Sequence, residues 1–412
     1  MEAMANFIVH GKKELAGEIT VSGSKNCALP ALASSLLFKN NIEFKNIPHI
    51  EDILRMQELM RSIDADHTVD TALIKKMRGS VLAIGPYAAR YGSVSFPHPG
   101  GCKIGARPID VFIQGWEAMG AKCFVPLQAE RGVGLYSLNA PGGFKGCDYA
   151  FRVKSVTGTE SMMMTAVLAS GTTILRNAAE EPEVMYLAKF LNSNGAKISG
   201  AGTPEIAIEG RTGVLLEGAD PFVAPPDRIE AGSFIILGAL AASRLVVKGC
   251  VPEEQKALFE ILENAGVSLS VDGNTVTVAK PKVLRPFHVR TEEYPGFPTD
   301  LQAPATILAT QAEGESIIEE TIFESRLAYV ADLNRMGANI MVHGPRRATV
   351  IGKTPLHEAR LSSPDIRAGL AFIFAALIAE GESVIGDIYQ VDRGYERIDE
   401  RLRSLGADII RQ

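Results

Sequence analysis

The sequence is poor in cysteine and has no pattern that would organise what there is. Five cysteines occur, Cys27, Cys102, Cys123, Cys147 and Cys250. None forms a CxxC pair and none has a histidine at ligand spacing, so neither a disulfide framework nor a zinc site is expected. No window approaches the eighteen or so uninterrupted apolar residues that a membrane span needs. The opening stretch MEAMANFIVHGKKELAGEI carries no apolar core of a secretory signal, and a cytosolic protein with no membrane partner is expected. Positive charge is not in excess: the net charge is -6. Nucleic acid would not be held by bulk charge, and any anion site must be built locally. With 46% apolar and 22% charged residues the chain reads as globular. At 412 residues it is too long for one ordinary core, which points to two domains.

What the chain does have is repetition. A helix-turn-strand phrase recurs at Met119-Gly120-Ala121-Lys122, Asn194-Gly195-Ala196-Lys197, Ala265-Gly266-Val267-Ser268, Met336-Gly337-Ala338-Asn339 and Leu405-Gly406-Ala407-Asp408, with a degenerate first copy at Ile63-Asp64-Ala65-Asp66. Successive glycines from Gly120 onward are 69 to 75 residues apart. Each sits where a helix C-cap favours a left-handed residue. A second phrase, at Gly171 (GTTIL), Gly314 (GESII), Gly381 (GESVI) and, without glycine, Ser243 (SRLVV), precedes most copies and reads as a strand. Each unit is therefore an apolar helix, a small-residue turn, a strand, an amphipathic helix, a glycine turn and a further strand. Six units fit two domains of three repeats each.

Four constellations carry chemistry. Gly23-Ser24-Lys25-Asn26-Cys27 follows a strand and opens an Ala/Leu-rich helix. Backbone N–H groups and the helix dipole there favour an anion, although an exposed lysine near a helix start is the plainer reading, and the Walker spacing is absent. Pro99-Gly100-Gly101-Cys102-Lys103-Ile104-Gly105-Ala106-Arg107-Pro108 surrounds one cysteine with glycines and two cations. That reads as a mobile loop carrying a thiol of depressed pKa, suited to proton donation or nucleophilic attack. Cys123, Cys147 and Cys250 fit a packing role better. In Gly296-Phe297-Pro298-Thr299-Asp300-Leu301-Gln302, Thr299 or Asp300 caps a helix, or Asp300 takes a proton from a substrate hydroxyl. Arg78, Arg107, Arg326, Arg367 and Arg393 fall in or beside loops of their repeats. Equivalent loops gather in a repeat fold, and several arginines there would hold a phosphate and a carboxylate.

Together the segments GSKNCALPAL, PGGCKIGARPID, NAAEEPEV, PPDRIEAGSF, FPTDLQA, FESR and VDRGYERIDERLRSLGA resemble the UDP-N-acetylglucosamine enolpyruvyl transferase family, over about Gly17 to Arg411. The resemblance implies an α/β fold: a two-domain inside-out α/β barrel, each domain three repeats of a βαβαββ-like unit with central helices. It places residues 1–24 and 227–412 in a discontinuous outer domain and 25–226 in an inserted domain carrying the mobile Cys102 loop. It implies transfer of the enolpyruvyl group of phosphoenolpyruvate to the sugar 3-hydroxyl, with these two small molecules as partners and no metal or cofactor. By the same resemblance Cys102 is the general acid toward the vinyl CH2, Asp300 deprotonates the hydroxyl, and Lys25 and Arg393 complete the catalytic set. Lys25, Asn26, Arg107, Arg367 and Arg393 would hold phosphoenolpyruvate. Asn26, Arg78, Arg107, Pro108, Ile109, Asp110, Val111, Ser155, Val156, Asp300, Ile322, Phe323 and Arg326 would hold the nucleotide sugar.

Three features depart from the family. The segment between Asp66 and Arg78 is short, which removes a strand beside Arg78. Pro97-His98 is a short addition before the glycine loop, and Lys103 stands where a small residue is usual. The short segment leaves room for a relative acting on another uridine compound. Enolpyruvylshikimate phosphate synthase, the nearest rival, shares the Gly-Ser-Lys opening but not Asn-Cys-Ala-Leu-Pro or the glycine-cysteine loop. A non-catalytic UDP-sugar binder is disfavoured because lysine, cysteine, aspartate and all five arginines are present. The oligomeric state is not set by the sequence.

Overall fold

The five intact glycine turns do what their spacing requires. Gly120, Gly195, Gly266, Gly337 and Gly406 all adopt φ between 88° and 99°, a region open to glycine and strained for other residues. Each ends a helix: Asp110–Ala118, Pro182–Ser193, Lys256–Asn264, Val330–Arg335 and Ile398–Ser404. Each leads into a strand: Lys122–Phe124, Lys197–Ser199, Leu269–Asp272, Ile340–Val342 and Asp408–Arg411. In this computed structural model residues 5–63, 69–101, 104–105, 107–127 and 134–412 are described. The degenerate turn at Asp64–Asp66 lies outside them, as does Cys102.

The chain divides into two compact units. The first takes the chain up to Ser22, residues 104 and 105, and Pro226–Gln412; the second takes Gly23–Gly101 and Arg107–Pro225. The N-terminal strands belong to the first unit because they complete its sheets. Phe7–His10 pairs with Glu382–Gly386 and Asp408–Arg411, and Leu15–Thr20 runs parallel to Ala242–Lys248. The break falls at Ser22/Gly23, where the second unit closes around Gly23: a Cβ there would lie 1.8 Å from the Asn46 carbonyl oxygen. The sequence reading put the whole glycine-cysteine loop in the inserted domain. Ile104 and Gly105 instead group with the first unit, because the Ser325 N–H donates to the Ile104 carbonyl at 3.2 Å.

Three four-stranded sheets make up the first unit, and all follow one plan: a parallel edge pair continued by antiparallel strands. Within them stand the helices Arg228–Ala241, Gln302–Ala309 and Ile366–Ile378, buried on nearly every side. A helix apolar all round is stable only when enclosed, which is why these helices are central to the unit. The outer helix Lys256–Asn264 buries only Leu258 and Leu262.

The second unit has one sheet of four strands that follows the same plan, one of three strands that is antiparallel throughout, and one of two. Its buried helices include Lys25–Ala33 and Val156–Val167. The two-stranded sheet, Phe44–Lys45 with Phe222–Val223, retains only the parallel pair. Where the other repeats insert an antiparallel hairpin, the described chain has the short helix Thr71–Lys76, leading into Arg78. Among the described residues no helix is long and apolar enough to cross a membrane.

Candidate active site

The predicted residues divide between the two units. In the first, Asp300 sits in the single turn Thr299–Leu301 that precedes helix Gln302–Ala309. Neither Thr299 nor Asp300 caps that helix, so the capping alternative falls. Both side chains turn to arginines instead. Asp300 Oδ1 accepts from Arg326 Nη2 at 2.8 Å, and Oδ2 accepts from Arg367 Nη2 at 2.8 Å and Nε at 3.0 Å. Thr299 Oγ1 accepts from Arg326 Nη1 at 3.0 Å and donates to Glu320 Oε2 at 2.8 Å.

Local sequence sets these positions. Asp365 caps helix Ile366–Ile378 by accepting from the Arg367 and Ala368 N–H groups at 2.8 and 3.0 Å, which fixes Arg367 in the first turn. The buried Glu320 closes the turn after strand Gly314–Glu319, its Oε1 accepting from the N–H groups of Ile322 and Phe323 at 2.8 and 2.9 Å. That turn sets the Phe323 ring under Arg326, with the guanidinium carbon 5.5 Å from the centroid. Gly105 packs on the same segment: a Cβ there would come within 2.8 Å of the Glu324 carboxylate. Arg393 is buried and donates to Gln390 Oε1 at 2.9 Å. The next residue, Gly394, packs on Ile366, where a Cβ would meet Cγ2 at 2.4 Å. Tyr395 OH then accepts from Arg367 Nη1 at 2.8 Å.

The electrostatic result is strong. Burial alone would raise the Asp300 carboxyl, but Arg367 and Arg326 outweigh it and hold the group far below the ordinary carboxylate range. The Asp300 side chain is 27% exposed, against 3% for Arg326 and 6% for Arg367. The carboxylate is thus the reachable member of a cluster whose two arginines are buried.

In the second unit Ser24 caps helix Lys25–Ala33 by accepting from the Cys27 N–H. Lys25 Nζ lies 2.7 Å from Asp52 Oδ2, with both side chains under 10% exposed. Asn26 is the one residue of that helix not buried. Arg78 donates to the Pro108 carbonyl at 2.9 Å. Its guanidinium is pulled down to about 10, first by burial and then by the charge of Arg107. Two cations that feel each other's charge favour an anion nearby. The N-termini of helices Asp110–Ala118 and Val156–Val167 also meet: a Cβ on Gly158 would lie 3.0 Å from Val111 Cγ1 and 2.9 Å from Ser155 Oγ. The segments Arg107–Val111, with Ile109 buried, and Ser155–Val156 thus form one place. Asp110 pairs with Arg152 at 2.7 Å. The added Pro97-His98 is anchored, with His98 Nδ1 3.2 Å from Tyr136 OH.

Four cysteines are described, and all are free thiols. Burial pushes Cys123 and Cys250 up to about 12 and raises Cys147, as packing residues require. Asp52, Glu320 and Tyr395 were missed in the sequence. Tyr395 had a signal, since it lies in the VDRGYE segment. Asp52 had none, because Lys25 is distant in the chain. Glu320 had none because Thr299, which ties it to the site, is 21 residues away, although its bonds to Ile322 and Phe323 are local.

Comparison with known proteins gives the family. The profile of the family described as EPSP synthase (3-phosphoshikimate 1-carboxyvinyltransferase) matches residues 9–402. A UDP-N-acetylglucosamine 1-carboxyvinyltransferase from Koribacter versatilis is 44% identical, covering 99% of this chain and 96% of the relative. Another from Acidobacterium capsulatum is 43% identical with the same coverage. The crystal structure of the enolpyruvyl transferase NikO from Streptomyces tendae superposes with a TM-score of 0.87 at 22% identity, over 99% of both chains. The EPSP synthase of Acinetobacter baumannii does so at 0.73 and 18%, over 100% of both.

Proposed function

Because the chain belongs to the EPSP synthase family of carboxyvinyltransferases, and within it to the UDP-N-acetylglucosamine 1-carboxyvinyltransferases, we propose that it transfers the enolpyruvyl group of phosphoenolpyruvate to the 3-hydroxyl of UDP-N-acetylglucosamine. Phosphate is released, and the product enters peptidoglycan synthesis in the cytosol.

The observation that carries the reading is the clamp of Arg326 and Arg367 on Asp300. Protonation of the phosphoenolpyruvate CH2, by Cys102, leaves C2 electron-poor beside its carboxylate. The sugar hydroxyl adds to C2 as Asp300 takes its proton. Loss of phosphate from C2 and of a proton from the new methyl group then restores the double bond. Asp300 is a weak base while both arginines hold it. An arriving phosphate or carboxylate competes for those guanidiniums. Drawing Arg367 away raises the carboxyl toward its ordinary value when substrate is present, so binding and base activation are one event. Lys25, Asn26 and Arg393 serve the donor, with Arg367. Arg78, Arg107 and the Pro108–Val111 and Ser155–Val156 segments serve the nucleotide, and Ile322, Phe323 and Arg326 the sugar.

The test is phosphate release from phosphoenolpyruvate, run separately with UDP-N-acetylglucosamine and with shikimate 3-phosphate. Release with the nucleotide sugar alone is expected. Release with shikimate 3-phosphate alone, or with neither, overturns the assignment of acceptor.

A further inference from the structure

At the opposite end of the first unit's central helices lies a cavity of about 620 Å³ that the proposed reaction does not use. Ala241, Gln311 and Ile378, at or just past the C-terminal ends of helices Arg228–Ala241, Gln302–Ala309 and Ile366–Ile378, line it. Arg367 and Ile378 belong to one helix, so the rise per residue puts the cavity about 16 Å along the axis from Arg367.

Each of the three repeats sends a lysine into this space from the same place, just past the end of a strand: Lys12 after Phe7–His10, Lys280 after Thr275–Val278 and Lys353 after Arg347–Gly352. Lys13 adds a fourth ammonium group, and Glu14 is the one carboxylate in the lining. Cations at helix C-termini usually serve to meet carbonyls left without partners. Here a backbone N–H already meets one carbonyl at or just past each helix end. The N–H of Lys12 donates to the Leu377 carbonyl at 2.8 Å, that of Lys280 to Ala242 at 2.8 Å, and that of Thr354 to Thr310 at 2.9 Å.

The ammonium groups are therefore left to other uses. Lys12 pairs with Glu380, and Lys13 lies 3.9 Å from Asp408. Neither Lys280 nor Lys353 has an ion-pair partner among the described residues. Glu313 lines a small second cavity together with both of them. Burial, and then the charge of Lys353, lower the Lys280 ammonium, so the two lysines repel each other across the space. The floor is apolar, made by Leu356, Leu377 and Ile378. A cavity of this size with an apolar floor and a few convergent charges has the proportions of a small-molecule site.

We propose that this cavity binds a multivalent phosphate anion, held by Lys280 and Lys353 with Lys12 and Lys13 at its margin.

The experiment is isothermal titration of the full chain with inorganic tripolyphosphate, and in parallel with adenosine triphosphate, both without divalent metal. The wild type is compared with Lys280→Met/Lys353→Met and with the charge-preserving Lys280→Arg/Lys353→Arg. One binding event should weaken about tenfold or more in the methionine pair, as two charge-assisted contacts are lost. It should persist in the arginine pair and weaken as salt rises. Any binding at the active-site arginines stays the same in all three proteins, which separates the two sites. Circular dichroism checks folding, and Lys353→Met alone replaces the methionine pair should that pair unfold. Enolpyruvyl transfer without added phosphate should match the wild type. Equal affinities for the two probes identify the phosphate chain as the ligand, and tighter binding of the nucleotide adds a base and sugar seated on the apolar floor. No binding to the wild type, or an isotherm unchanged in the methionine pair, overturns the proposal.

Discussion

Arg367 reaches Asp300 with two N–H groups at once, Nε at 3.0 Å and Nη2 at 2.8 Å, both to Oδ2, while its third arm, Nη1, donates to Tyr395. The residue proposed as base is therefore oriented by the residue proposed to hold donor charge. Removing the carboxylate should damage chemistry more than binding. Asp300→Asn is expected to lower kcat by about 10²–10⁴-fold, the usual range for a positioned base, with a smaller change in KM for phosphoenolpyruvate. Steady-state phosphate release decides it, and a kcat within twofold of wild type would remove Asp300 from the mechanism.

The same clamp has a signed effect on stability. A carboxyl whose folded pKa lies below its unfolded value stabilises the fold above the unfolded value, and that contribution disappears as pH falls through the folded one. The gap in melting temperature between wild type and Asp300→Asn should be constant from about pH 5 to 8 and should narrow below about pH 4. A gap that changes between pH 6 and 8 would contradict the depressed carboxyl.

Glu160 carries the opposite sign. It is fully buried in helix Val156–Val167, and burial, then Glu183 and Glu181, raise it well above 4.5. The folded chain keeps a proton that the unfolded chain releases, so stability falls as pH rises from about 4.5 toward the folded value. Glu160→Gln removes this slope. The variant should gain on the wild type progressively as pH rises, as read from urea midpoints at pH 5, 7 and 9, and a gain that shrinks with pH would refute the assignment.

Lys25 and Asp52 form a buried pair at 2.7 Å. Taking away one partner removes this charge contact from the other, which stays out of water. Asp52→Asn is expected to cost about 3–5 kcal/mol of unfolding free energy, whereas Lys25→Met/Asp52→Leu should cost less. Urea denaturation of the three proteins measures this, and equal stability of Asp52→Asn and wild type would show that the pair does not matter.

Cys102 lies outside the described residues, so its proposed role rests on the loop sequence. Fosfomycin, an anionic epoxide able to alkylate a thiolate, should abolish turnover when the nucleotide sugar is present. Cys102→Asp keeps an acid but no thiol, and should resist. Mass spectrometry locates the adduct. Turnover that persists after stoichiometric treatment would exclude Cys102 as the acid.

Much of the architecture was legible because it depends on local chemistry written several times. A glycine able to take positive φ stops a helix and starts a strand, and five copies of that instruction define the repeat without reference to tertiary contacts. The enclosed helices were legible too, since a segment such as Ile366–Ile378 has no polar face to offer water. The short stretch before Arg78 pointed to a reduced sheet, and that sheet holds two strands among the described residues.

What the sequence determined by itself is the inventory: which residue types stand at which loops, and therefore which chemistry is available. Tertiary structure decided the pairings. Asp300 and Arg367 are 67 residues apart, Lys25 finds Asp52 on a neighbouring helix, and Lys12, Lys280 and Lys353 come from three separate repeats. The physical reason is range. Backbone preferences act over a few residues and can be read along the chain. Electrostatic partnership acts through space, and only packing of the repeats determines which distant charges share it.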